Sequence, residues 1–116
     1  MTWKQRFSAL AELYGAEWDA ELERLEQDWL AAYTATFVEI AMHRGWRRDD
    51  AVTWPIGIGG EAFIDAYRYD SDPRRAAVAD VVACDACVGM PSFAGLFTTD
   101  DAKESLNKSL ATRRRM

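Results

Sequence analysis

Cys84 and Cys87 stand three residues apart in a C-x-x-C, the spacing at which two thiolates can hold zinc or cycle through a disulfide. Zinc needs two further ligands, and the chain has one histidine, His43, and no second cysteine pair, so an acid such as Asp85 would have to complete the set. In redox proteins the motif usually opens a helix, whose positive end lowers the thiol pKa. Here it falls near a helix end, with Asp85 between the thiols to raise it. The expectation is two small, reduced, buried side chains, with no metal and no cofactor. His43 has no serine or cysteine near it in the sequence and no G-x-S-x-G accompanies it, so no catalytic residue is assigned. As a cation in the last turn of a helix it already has a structural role.

Gly57-Ile58-Gly59-Gly60-Glu61 is glycine-rich but lacks the lysine and hydroxyl of a phosphate loop, and it puts Glu61 where an anion would sit. A flexible connector is expected instead. Two other groups suit recognition. Glu17, Asp19, Glu21, Glu23, Glu26 and Asp28 form an acidic belt along one helical stretch. Trp46, Arg47 and Trp54, with Arg48 and Pro55, have the tryptophan and arginine content of interface anchors, and equally the two rings can fold inward to cap the long helix.

The element that must carry the belt is a long helix read from about Ala16 to Arg44. Trp18, Leu22, Leu25, Trp29, Ala32 or Tyr33, Thr36 or Phe37 and Ile40 recur at spacings of three and four, on one face of a helix roughly 40 Å long. Acids crowd its start, His43 and Arg44 its end, and Gly45 is the residue to terminate it. Written as heptads, the seam Trp18, Leu22, Leu25, Trp29 and Ala32 is flanked on both sides by acids, which disfavours parallel self-pairing. The seam is therefore expected to pack on its own chain and leave the acids outside.

Before it, Thr2 caps a helix with Trp3, Phe7, Leu10, Ala11 and Tyr14 on one side, ending at Gly15 and folding back as a hairpin in which Trp18 faces Tyr14. After it, Pro55 and the three glycines make Trp54 to Gly60 a loop, with Val52 to Ile58 the one stretch that could be extended. A third helix spans Glu61 to Asp70. Asp72 and Pro73 start a fourth that runs to about Val88, with Val78, Val81, Val82, Ala86 and Val88 available for burial. Pro91 to Thr98 reads as an apolar loop, and a last helix follows Thr98 or Thr99 with Leu106 and Leu110 on one side. The fold class is all-α: about five helices around one long central helix, with a Gly/Pro-containing loop in the middle, in a single domain of residues 1–116 whose last residues, 113–116, are a frayed basic tail.

Composition narrows the function. A chain of 116 residues can bury a sizeable core without disulfides, and 49% hydrophobic with 28% charged residues is ordinary for a folded domain. No apolar run approaches the roughly 20 residues of a bilayer span, and no leader-like apolar segment follows Met1, so a cytoplasmic protein with no membrane partner is expected. Net charge is −5, and residues 1–42 hold eight acids against three bases. Such a surface repels nucleic acid, so direct nucleic-acid binding is not expected, and a basic protein or nucleoprotein complex is the better partner.

These features favour a small acidic, non-catalytic binding or inhibitor protein, monomeric or homodimeric. Phage and mobile-element proteins of the anti-CRISPR and anti-restriction kind share its size and charge, an analogy of profile alone. Toxin-immunity proteins and secretion chaperones share it too, and a metal- or thiol-dependent protein using Cys84 and Cys87 is the alternative from another class.

Overall fold

Asp19 begins the central element by turning its side chain back onto the helix: Oδ1 accepts from the Leu22 amide at 2.9 Å. In the computed structural model, which describes residues 1–13, 18–85 and 107–108, this helix, α2, spans Ala20–His43. The start thus lies later than Ala16, and Asp19 is a cap rather than a first-turn residue. The far end closes as the sequence indicates. Gly45 takes φ 88°, its amide bonds to Met42 O and the Trp46 amide to Ala41 O, a Schellman motif that satisfies two of the last carbonyls.

Among the described residues three further helices pack around it, α1 (Trp3–Leu13), α3 (Arg48–Tyr69) and α4 (Pro73–Cys84), and there is no strand. Thr2 and Gln5 cap α1 reciprocally, the Gln5 amide donating to Thr2 Oγ1 and the Thr2 amide to Gln5 Oε1. Arg6 on α1 reaches Asp28 on α2 at 2.7 Å, a contact that one continuous helix would forbid, because it would set the two about 33 Å apart. The chain therefore folds back between α1 and α2. Trp18 packs edge-on against Phe63 at 6.0 Å, while Tyr14, its expected partner, and Glu17 lie outside the described residues. Asp72 caps α4 as expected, Oδ1 accepting from Arg74 and Arg75 with Pro73 at the first turn.

The middle of the chain departs from the sequence reading. Trp54 to Gly60 is not a loop, and Val52 to Ile58 is not extended, because both lie inside α3. Pro55 forgoes one intrahelical bond and crowds the carbonyl of Ala51, while each glycine weakens the helix by about 1 kcal/mol. Packing outweighs these losses. The Pro55 ring is buried, Trp54 is buried, and Gly59 brings α3 so close to α2 that a Cβ there would stand 3.0 Å from Leu30 Cδ2.

Aromatic rings run through the core from end to end. Trp3 meets Phe7, Phe7 meets Phe63 and Tyr67, Phe63 sets its edge on Trp29, and Trp29 stacks on Tyr33 at 5.1 Å. The line continues through Phe37 and Trp46 to Trp54. Leu22, Leu25 and Trp29 of the expected seam are buried on the protein's own helices. On α4 the buried residues are Pro73, Ala77 and Val81, whereas Val78 and Val82 are exposed; Ala86, Val88, the Pro91 to Thr98 stretch, Leu106 and Leu110 lie outside the described residues.

Candidate functional site

Four of the six acids of the belt are engaged or covered within the chain, and Glu17 lies outside the described residues. Asp19 is the α2 cap, Glu21 pairs with Arg24 at 3.3 Å, and Asp28 is held by Arg6. Glu26 is only 7% exposed, on the side of α2 that α3 covers. Glu23 alone remains exposed with no ion pair among the described residues. Heptad positions treat every flank as solvent, yet α1 and α3 each approach one flank and claim the acids there.

Trp46 and Trp54 are likewise core residues rather than exposed anchors. Their rings meet edge to face at 5.9 Å, Phe37 packs against Trp46 at 5.6 Å, and the Trp46 indole donates to Asp85 Oδ1 at 2.6 Å. Arg44 donates to the other carboxylate oxygen of Asp85, so one acid at the end of α4 ties down the α2–α3 corner. Arg47 is exposed and pairs with Asp50 at 3.1 Å. Arg44 and the Trp46 indole hold the Asp85 carboxyl below its ordinary value of 3.8. A carboxyl lowered in the folded state contributes stability above that ordinary value and loses it as pH falls toward the folded one. Asp85→Ala is therefore expected to lower the urea midpoint at neutral pH, stranding the buried indole N–H, and to flatten the acid limb of the stability curve. An unchanged midpoint would show that the corner holds without the acid.

Folding creates a different carboxylate cluster. Glu61 and Asp65, one turn apart on α3, face Asp80 and Cys84, one turn apart on α4, across a cleft of about 230 Å³ lined also by Ile58 and Ala62. The described lining carries three acids and no base. Beneath it Tyr33 on α2 donates its hydroxyl to Asp80 Oδ2 at 2.6 Å. Burial pushes the Asp80 carboxyl up, the Tyr33 bond pulls it down, and the charge of Asp65 raises it again. Burial, the bond to Asp80 and its charge also raise the Tyr33 phenol, which stays protonated and donating.

The sign of the Asp80 shift fixes a pH response. Between the ordinary value of 3.8 and the raised one, the folded chain keeps a proton that the unfolded chain has released. Stability therefore declines as pH rises through that window. In Asp80→Asn the amide oxygen still accepts from Tyr33 and no charge is buried. The variant is expected to lose this slope and to be at least as stable as the parent at neutral pH, by up to about 1 kcal/mol, in urea titrations at several pH values. A loss of more than about 1 kcal/mol would mean that the charged bond to Tyr33 outweighs the burial.

Cys84 is half-buried at the cleft's edge, Cys87 lies outside the described residues, and no three His, Cys, Asp or Glu side chains among those described converge closely enough to hold a metal ion. His43 is exposed in the last turn of α2. No described helix is long and apolar enough to cross a membrane. The i, i+4 spacing of Glu61 and Asp65 is a signal the sequence does carry, and the helix expected from Glu61 to Asp70 holds both; that α4 brings Asp80 opposite them is set by packing and leaves no local signal.

The fold and the cleft define a small all-helical protein with an open, carboxylate-lined groove between two helices. Comparison with models of protein families, with curated proteins and with solved structures finds no match.

Proposed function

We propose that the protein is a non-catalytic binding protein that docks on a basic surface of another protein, with the α3–α4 cleft as the recognition site. The observation that supports this reading is the approach of Glu61, Asp65 and Asp80 from two helices with no base among the described lining residues. No base among the described lining residues offsets these carboxylates, so a lysine or arginine entering the cleft gains their attraction. Ile58 and Ala62 suit the aliphatic stem of the same side chain. Arg47 and the buried tryptophans are not assigned to the contact. The partner class is a basic, nucleic-acid-binding protein or complex, which gives the chain the character of an inhibitor of the anti-CRISPR or anti-restriction kind, acting in the cytoplasm.

The test is affinity capture from bacterial lysate at about 50 and about 300 mM salt, with the parent chain and the Glu61→Gln/Asp65→Asn double variant side by side. The expected result is a basic nucleic-acid-binding protein recovered by the parent at low salt, depleted at high salt, and lost from the double variant. Equal recovery by the double variant would remove the cleft from the site. Recovery indifferent to salt would remove charge as the basis of recognition.

A further inference from the structure

Asp80 sits where a carboxylate is hard to keep charged. It is half-buried on α4, and the helices packed against it present titratable groups of their own. From α2, Tyr33 donates its hydroxyl to Oδ2 at 2.6 Å. From α3, Glu61 and Asp65 face it across the cleft, and Cys84 follows one turn later on its own helix. None of these groups is a cation, and the described lining of the cleft holds no lysine, arginine or histidine. The phenol supplies one neutral donor, which does not offset the water lost on burial together with the charge of Asp65. Burial first and Asp65 second hold the Asp80 carboxyl above its ordinary value of 3.8.

Two species can relieve this acid. With Tyr33 on Oδ2, Oδ1 is the oxygen left to take a proton or to accept from the N–H of an incoming base. The two compete. A protonated carboxyl offers a guanidinium a neutral acceptor in place of an anion, and a hydrogen bond about half as strong. Folding alone sets this competition, because it is α3 and α4 side by side that put Asp65 opposite Asp80 and draw both from water.

We propose that the α3–α4 cleft is a proton-linked site, in which capture of a basic side chain releases a proton from Asp80 to solvent, so that the partner is held more tightly as pH rises and let go as it falls. This rests on the reading of the cleft as the recognition site. A group that gives up a proton on binding makes affinity climb with pH, by at most about tenfold per pH unit for one proton, until the free cleft is itself ionised. The fold responds with the opposite sign. Ionisation of Asp80 costs the unbound chain stability over the same window, and the partner's charge restores what that burial takes away.

An acetylated and amidated tetra-arginine peptide is the probe, because its guanidinium groups stay charged throughout and any pH dependence then belongs to the protein. Its affinity is measured by calorimetry from about pH 4.5 to about pH 7.5, at fixed low ionic strength and with reductant present. The parent chain, Asp80→Asn and Glu61→Gln/Asp65→Asn are compared, each checked for helical content by circular dichroism. The parent and Asp80→Asn are expected to converge toward the acid end and to diverge as pH rises, to roughly fivefold in favour of the parent, the gap between a charge-assisted and a neutral hydrogen bond. In carbon-detected NMR of the parent, the titration midpoint of the Asp80 carboxyl should fall on saturation with the peptide. A ratio of the two affinities that is constant with pH, or an Asp80 midpoint unmoved by saturating peptide, would overturn the linkage; binding lost from Glu61→Gln/Asp65→Asn would then still leave the cleft as the site. Binding that survives in that double variant, or is absent at every pH, would overturn the reading of the cleft and this proposal with it. If Asp80→Asn does not fold, the midpoint measured in the parent decides alone.

Discussion

Trp29→Ala is expected to lower the stability of the protein by about 3–5 kcal/mol, enough to leave a domain of ordinary stability close to unfolding. The ring is wholly buried, stacks on Tyr33 and receives the edge of Phe63, so its loss opens the aromatic line where α2 meets α3. It also releases the bond from the indole N–H to Ser71 O at 3.2 Å, which ties α2 to the turn between α3 and α4. Urea denaturation followed by far-ultraviolet circular dichroism reads the effect. A loss under about 1 kcal/mol would show that the neighbouring rings can collapse into the space, and the central place given to this side chain would be wrong.

Gly59→Leu is the second substitution with a large expected effect, about 3 kcal/mol or more of destabilisation. A Cβ alone would stand 3.0 Å from Leu30 Cδ2 and 4.0 Å from Tyr33 Cε1, so the remaining three carbons have no room unless α3 moves off α2. Gly59→Ala is the instructive control. Alanine favours a helix over glycine by about 1 kcal/mol, and the single close contact falls on the end of a flexible side chain, so the two effects nearly offset. Alanine near neutral and leucine severe, in the same urea assay, would establish that α3 is helical at Gly59 and pressed against α2. Leucine tolerated as well as alanine would fit a surface connector and contradict the packing described above.

Those substitutions bear on the place where the sequence misleads. Pro55 and the glycines at 57, 59 and 60 are strong local signals for a break, and local signals are what a sequence displays. The competing term is tertiary. The burial of Trp54, Pro55 and Phe63 is gained only if residues 48–69 continue as one helix, and none of it is visible until α2 lies beside them. The candidate site moved for a related reason. The acids of α2 stand out in the sequence because they are close together, but closeness along the chain does not say which neighbours arrive from elsewhere. Arg6 takes Asp28, and α3 covers the flank that holds Glu26. Glu61, Asp65 and Asp80 are inconspicuous in the sequence and meet only because α3 and α4 pack side by side.

What the sequence by itself determined is the long central helix and several of the helix ends. The three-and-four spacing of Leu22, Leu25, Trp29, Tyr33 and Phe37 requires a long helix with one buried face, and Thr2, Gly45, Asp72 and Pro73 end or begin helices through bonds reaching only a few residues along the chain. Only the tertiary structure decided which surfaces are left over. Whether Trp46 is an anchor or a core residue, whether an acid is free or held, and whether Ile56 is covered or bare depend on contacts between residues 20 to 60 apart in sequence. Such contacts are set by the packing of whole helices, and no local pattern encodes them.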